Sequence, residues 1–406
     1  MGSDIRNTPS EKEELAADGS KSGVEAEAEG HVPFPYNSDK ISISSQTIPI
    51  STIVRRLGRG LIVAAEMQRG EDLWDIGKKS RLIESILLKI PLPLFYVAER
   101  TDGKLSIVDG LQRIGTIRSY VAQNSFGLKG LEFLKELEGK RYNDLDDDLQ
   151  IRVEETPLQF VIISPDSPPE VQRNIFKRLN TGGLPLSDQE IRHALYYGPV
   201  AGFLNELANT PEFINATTGS VDNSRLAAHE LILRFLSFAI MGVEAYSKDD
   251  DMDEFLCDTM QIINTILSGK TVANGEKFRQ RMIKCADIES LRKRFLLAME
   301  RAHLLFDNCA FRMSVRSKLE QGKPRKPINK SLFEAWSIIL SDLDDNVFDD
   351  LVDCKDHMDD LLETVYDNAH PNRRFYGTDS LKVRGVKGRH EMINKIILDV
   401  LERNVQ

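Results

Sequence analysis

The chain has 406 residues, with 53 Lys and Arg against 63 Asp and Glu and a formal net charge of −10. That balance excludes a whole-surface affinity for nucleic acid and leaves room only for a local basic patch. No apolar run approaches the ~20 residues of a membrane span, and the first residues carry no apolar signal core, so the expectation is a cytoplasmic protein with no membrane partner. Four cysteines (Cys257, Cys285, Cys309 and Cys354) stand far apart with no Cys-x-x-Cys, which predicts reduced thiols and no zinc site. A chain of this length predicts two domains, on a prior of roughly 100–200 residues each.

Taken in order, residues 1–40 are rich in Glu, Ala, Ser, Gly and Lys and poor in apolar side chains. They are expected to be a disordered acidic leader, because so little burial cannot offset the ordering entropy. Ile41 to Ser51 alternates like a strand, Thr52 to Leu57 suggests a short helix, and Leu61 to Ala65 a second strand. A helix is predicted from about Asp75 to Leu88, with Leu82, Ile86 and Ile90, together with Ile83 and Leu87, forming its apolar face and Pro91 and Pro93 ending it. Trp74, just ahead of it, is expected in the core. Leu94–Glu99 and Lys104–Val108 form a predicted hairpin around Thr101-Asp102-Gly103. Phe126 to Arg141 is ambiguous, Leu145 to Val153 contains a short predicted helix, and Pro157 to Ser164 reads as a buried strand. Pro168 and Pro169 start a predicted helix to about Leu179. Ser187, with Glu190 three residues on, is a capping box for the next one. Beyond Pro199 only helical spacing remains, over Ser224–Met241, Met252–Leu267, Lys277–Phe306, Lys330–Ser341, Asp345–Tyr366 and Arg389–Arg403.

The most informative stretch is Lys104 to Ile117. A β-branched run ends in Asp109-Gly110 and a helical pattern starts at once, so the pair sits at a strand-to-helix corner. Asp109 is a natural N-cap, and Gly110 permits a tight turn or the close approach of a ligand. Arg113 in the first helical turn opposes the helix dipole. Free amides, the dipole and an arginine together suit an anion such as a phosphate. The alternative is a capped helix with a surface arginine.

This Asp-Gly-x-Gln-Arg element after a strand resembles the signature of the GmrSD-type restriction endonuclease N-terminal domain, within the wider ParB-like nucleotide-binding group. Two further stretches resemble the family in the expected order. They are Met67-Gln68-Arg69-Gly70 with Trp74-Asp75, and Phe176-Lys177-Arg178-Leu179-Asn180-Thr181-Gly182-Gly183 with Glu190-Ile191-Arg192. The resemblance runs from about Ile41 to Tyr197. Leu111 departs from it, where members often carry a second glutamine.

The resemblance implies an α+β fold, with a ParB-like nucleotide-binding domain over 41–198 followed by an all-helical domain over 199–406. It implies binding and hydrolysis of a nucleoside triphosphate, with Mg2+, in a restriction or anti-phage setting. Asp109, Gln112 and Arg113 would be catalytic, with Asp109 also holding the metal. Gln68, Arg69, Gly110, Arg178, Asn180, Thr181, Gly182, Gly183 and Arg192 would bind the nucleotide. The partners would be DNA or a separate nuclease subunit. A competing reading makes the domain a non-catalytic DNA-binding or scaffold unit whose arginines meet backbone phosphate. In a third, structural reading, Arg69, Arg113 and Arg178 merely pair with Glu66, Asp109 and Asp188.

Other motifs fall away. Ser268-Gly269-Lys270-Thr271 lacks the earlier glycine of a P-loop, since Asn264 stands there. His357 and His370 lack the spacing of a His-Asn-His nuclease, so autonomous DNA cleavage is not expected. Asp349, Asp353, Asp356 and Asp360 share one helical face and read as a solvated acidic surface. Lys323, Arg325, Lys326 and Lys330 form one basic stretch. Arg373, Arg374, Lys382, Arg384, Lys387 and Arg389, with Phe375 and Tyr376, form another, and each is open to two readings, a nucleic-acid contact or a charged loop.

Overall fold

The computed structural model describes residues 13–16, 19–26, 42–63, 74–100, 102–164, 167, 175, 187–247, 251–269, 284–285, 287–367, 370–377 and 379–404. The chain divides into one unit over Phe34–Tyr197 and a second over Gly198–Gln406 that also takes in Met1–Pro33. The architecture is α+β, a mixed sheet with helices in the first unit and a helical assembly in the second.

Two short strands come first in the chain and belong to the second unit, β1 (Glu13–Leu15) and β2 (Lys21–Glu25). The first unit then follows in order: β3 (Ile43–Pro49), α1 (Ile50–Gly58), β4 (Ile62–Val63), α2 (Ile76–Leu87), β5 (Phe95–Glu99) and β6 (Leu105–Asp109). It continues with α3 (Leu111–Ile117), which runs into a π-helical turn at Arg118–Ala122, then α4 (Asp147–Glu155), β7 (Pro157–Ile163) and α5 (Asp188–Leu195). The sheet order is β3-β7-β5-β6-β4. Pairings β3–β7 and β5–β6 are antiparallel, while β5–β7 and β4–β6 are parallel. The carboxyl ends of β3, β4 and β6 therefore lie at one edge of the sheet, with the amino ends of β5 and β7.

Local chemistry accounts for most of these elements. Asp75 caps α2 by accepting from Lys78 N at 2.9 Å, and Leu82, Ile83, Ile86 and Leu87 are buried as their spacing requires, whereas Ile90, expected on the same face, lies past the end of the helix and is exposed. Burying each such side chain contributes roughly 1.5–3 kcal/mol. The main core gathers α2, α3 and one face of the sheet around Phe95, which stacks on Phe160 at 5.2 Å, and Trp74 packs against this core. A smaller cluster on α5 joins Ile191 and Ala194 to Ala98, Val108 and Ile163. Ser187 and Glu190 form the expected capping box.

Phe126 to Arg141 is not a helix, and two carboxylates organise part of it. Glu84, 4% exposed, accepts from the backbone N–H groups of Glu132, Phe133 and Leu134 at 3.0, 2.7 and 2.9 Å. Glu138 accepts from Gly130 N and Leu131 N at 2.6 and 3.2 Å. Burial alone would raise the Glu84 carboxyl, but the three N–H donors outweigh it and hold the group below the ordinary range. A depressed carboxyl stabilises the fold above its unfolded value, and that contribution is lost as pH falls through the folded value. The Glu84→Gln variant should therefore lose the part of the acid-side stability slope that wild type shows below the ordinary glutamate range. Urea titrations at a series of acid pH values measure this, and identical slopes would contradict it.

The helical unit comprises α6 (Pro199–Ala208), α7 (Pro211–Thr217), α8 (Ala227–Met241), α9 (Met252–Leu267) and α10 (Ile288–Phe306), followed by α11 (Arg316–Glu320), α12 (Lys330–Asp342), α13 (Asp345–Asp353), α14 (Lys355–Tyr366) and α15 (Val383–Asn404). Every residue of α8 is buried, so this helix is the centre of the unit. Helix α12 packs on α8 and α10, burying Leu332, Phe333, Trp336 and Leu340. The helix expected over Asp345–Tyr366 breaks at Cys354 into α13 and α14.

The expectation of a disordered leader fails for β1 and β2. Val24 is fully buried, Glu25 N donates to Ile328 O at 2.7 Å and Ile328 N to Gly23 O at 2.8 Å. Lys330 Nζ lies 2.5 Å from Glu14 Oε1. Few apolar residues are enough here because backbone pairing and the Lys330–Glu14 and Lys21–Glu13 ion pairs supply what the side chains do not.

Candidate functional site

The strand-to-helix corner stands at the carboxyl end of β6, beyond the point where β4 ends opposite Ser106. Its shape begins with a bulge. Val97 pairs with Ile107 and Tyr96 with Asp109, so Val108 is an extra residue in β6. Such a bulge re-aims the side chains that follow it. Val108 turns into the small α5 cluster, and Asp109 ends the strand opposite Tyr96.

Gly110, not Asp109, caps α3. It takes φ 99°, in the left-handed region, and its carbonyl accepts from Ile114 N at 2.9 Å. A Cβ there would lie 2.5 Å from Phe95 Cδ1. The expected cap is displaced because Asp109 is engaged elsewhere. Its Oδ2 accepts from Arg113 Nη2 at 2.8 Å.

Arg113 is neither a surface residue nor an open phosphate ligand. Its guanidinium donates to the carbonyls of Pro93 and of Leu94, the latter at 3.1 Å, and lies 4.3 Å from the centre of the Phe95 ring. Its side chain is only 12% exposed, and burial lowers its affinity for the proton despite Asp109 beside it. The structural reading of this arginine as the partner of Asp109 is the arrangement found. The clasp explains a cation in a first helical turn, because Arg113 ties the corner to the entry of β5 and gains three oxygen partners against the helix dipole.

Asp109 keeps a solvent-reached carboxylate, 35% exposed. Next to the clasp, the side-chain Oε1 of Gln112 is buried without a hydrogen-bond donor. Buried acceptors are ordinarily satisfied, so this one stands out. Asp109, Gly110, Gln112 and Arg113 are thus brought together. Arg192 lies on α5, which packs on β6 through the Ser106 Oγ to Ala194 O bond at 2.9 Å. It is buried rather than solvent-facing, and its Nε donates to Gln189 Oε1 at 2.8 Å. Gln68, Arg69, Arg178, Asn180, Thr181, Gly182 and Gly183 fall outside the described residues, as does the predicted helix from Pro168 to Leu179 apart from Ile175. Strand β4 runs parallel beside β6, with Val63 opposite Ser106. Strand β7 runs the opposite way.

In the helical unit most basic candidates have structural partners. Lys330 is 4% exposed and pairs with Glu14 and Glu230; Arg389 is fully buried on Glu334, and Lys387 pairs with Glu244. Arg325 donates to Thr218 Oγ1 at 2.7 Å. Tyr376 is core. The four aspartates expected on one face are split between α13 and α14, and Asp356 lies 3.8 Å from Arg316. Among the described residues no group of three or more His, Cys, Asp or Glu is arranged to hold a metal ion, and no helix is long and apolar enough to cross a membrane.

Residues 50–197 match a family described as the GmrSD restriction endonuclease N-terminal domain. No curated protein and no solved structure gives a match to the chain.

Proposed function

We propose that the unit whose residues 50–197 match the GmrSD restriction endonuclease N-terminal domain family serves in a restriction-type setting, binds a nucleoside triphosphate with Mg2+ at the β4–β6 edge and acts as a nucleotide sensor. The observation that carries the reading is the clasped corner. It holds a solvent-reached carboxylate, Asp109, beside Gln112 Oε1, a buried acceptor without a donor. Both are hard oxygen donors, and Mg2+ is commonly held by one or two carboxylates together with substrate phosphates. They fit such an ion, with Asp109 as the direct ligand and Gln112 beside it. When bound, the ion neutralises charge on the phosphate oxygens.

The residues of the chain then have separate roles. Asp109 holds the metal. Gly110 lets the backbone turn with no Cβ in the way. Arg113 is a positioning residue, because its donors are spent on Pro93, Leu94 and Asp109. That assignment moves it away from phosphate contact and weakens the DNA-scaffold reading for this arginine.

Calorimetric titration with each of the four common ribonucleoside triphosphates and Mg2+ tests the proposal, followed by phosphate release to separate a hydrolase from a sensor. The Asp109→Asn variant should bind at least about tenfold more weakly, a loss of ~1.4 kcal/mol, with thermal unfolding close to wild type. Arg113→Lys should also weaken binding, because the shorter fork cannot span its partners. Unchanged affinity in folded Asp109→Asn, or no binding by folded wild type, would overturn the assignment.

A further inference from the structure

Three cations of the helical unit share one carboxylate. Asp379 is 4% exposed, and its Oδ1 lies 2.8 Å from Lys382 Nζ. Its Oδ2 lies 2.7 Å from Arg384 Nη2 and 3.9 Å from Arg374 Nε. The three cationic side chains are themselves 53–61% exposed. Elsewhere in this basic stretch Lys387 pairs with Glu244 and Arg389 with Glu334. Here one negative charge is set against three positive ones.

The backbone makes this grouping rigid. Asp379 N donates to Arg374 O at 2.9 Å, and Lys382 N to Asp379 O at 3.0 Å. Gly385 sits so close that an added Cβ would lie 1.9 Å from Asp379 O. The cluster also stands at the start of α15, a helix of 22 residues with no acidic residue in its first turn. Cations at that end oppose the helix dipole. Burial would raise the Asp379 carboxyl, but Arg384 and Lys382 outweigh it and keep it ionised. Even so, about two positive charges are left uncompensated on a chain of net charge −10. An external anion is the partner that this electrostatic arrangement lacks.

We infer that Arg374, Lys382 and Arg384 form a binding site for the phosphodiester backbone of duplex DNA. The chemistry is phosphate oxygen on exposed guanidinium and ammonium groups, with Asp379 as the post that spaces them. The choice of DNA among polyanions rests on the restriction-type reading above. The acidic remainder of the surface repels DNA, which confines contact to such a local patch.

The test uses the full chain and anisotropy of a short labelled duplex over a range of salt. Lys382→Gln and Arg384→Gln should each lower the slope of log affinity against log salt by ~0.9, the value for one lost phosphate contact. Asp379→Asn keeps all three cations and removes the opposing charge, so it should bind duplex more tightly than wild type. A cluster that only fastens the turn would instead shift the melting temperature and leave the slope alone. Nucleotide calorimetry on the same variants should match wild type, which separates failure here from failure of the Asp109 site. Absence of duplex binding at low salt, or slopes unchanged in folded Lys382→Gln and Arg384→Gln, overturns the proposal. So does displacement of the duplex by inorganic phosphate at concentrations too low to screen charge, which would mark a free-phosphate site.

Discussion

Replacing Glu334 with alanine is expected to destabilise the helical unit by about 3–5 kcal/mol, the cost of stranding buried charge. Glu334 is fully buried on α12 and joins two arginines. Arg389 Nη2 lies 2.5 Å from its Oε1 and Arg234 Nη1 lies 3.6 Å from its Oε2. Arg389 is fully buried and the Arg234 side chain only 3% exposed. Arg234 continues to Glu230, Glu230 to Lys330 and Lys330 to Glu14. Along this chain the carboxylates Glu14, Glu230 and Glu334 balance the cations Arg234, Lys330 and Arg389. Removing Glu334 leaves an excess cation at the centre of the unit, where water cannot reach it. Urea unfolding of Glu334→Ala and of the double variant Glu334→Leu, Arg389→Met makes the comparison. The double variant should recover much of the loss, because an apolar pair replaces an ion pair at little cost when volume is kept. A loss below about 1 kcal/mol in Glu334→Ala, the level of an exposed pair, would contradict this account. Glu14→Gln should cost less than Glu334→Ala, because Glu14 is 25% exposed and water can serve part of its role.

The second large effect is expected at Gly110. Alanine there must adopt φ 99° and place its Cβ 2.5 Å from Phe95 Cδ1 and 3.2 Å from Arg113 Nη2. Phe95 is fully buried and stacked on Phe160, so it has nowhere to go. Overpacking of this kind costs about 1–3 kcal/mol, and the left-handed backbone adds roughly 1–2 kcal/mol for a residue with a Cβ. The Gly110→Ala variant should therefore lower the unfolding midpoint of the α+β unit and disturb the Arg113 clasp. Nucleotide affinity should fall with it, because Asp109 is held through that clasp. Chemical unfolding checks the first part and calorimetry the second. A variant as stable as wild type would mean that the corner does not hold this conformation in solution.

Sequence reasoning located this corner correctly and misjudged its interior. The strand, the Asp-Gly turn and the helix after it follow from β-branched spacing and from what glycine permits. The same local rules located α2 with its Asp75 cap, the β5–β6 hairpin and the Ser187–Glu190 capping box. All of these depend on neighbours within a few positions. The partners of Arg113 do not. Pro93 and Leu94 precede it by 20 and 19 residues, and only the pairing of β5 with β6 brings them under its guanidinium. The bulge at Val108 is likewise a property of two strands, and it contributes to directing Asp109 away from the cap it would otherwise form. Similarity to a known domain supplied the functional setting, which spacing by itself did not.

By itself, then, the sequence determined most element positions, the helical spacing beyond Pro199 and the corner, and with the family resemblance the α+β class. Tertiary structure decided which charges are structural. Arg384 and Arg389 stand five apart in one basic stretch, yet one is 60% exposed and the other fully buried on Glu334, 55 residues away in sequence. Lys330 reads as part of a surface basic loop and is instead held by Glu14, 316 residues distant. That same contact orders a hairpin whose composition alone predicts disorder. A charge is priced by its surroundings, and the surroundings of a buried ion are assembled from segments that the linear order keeps apart.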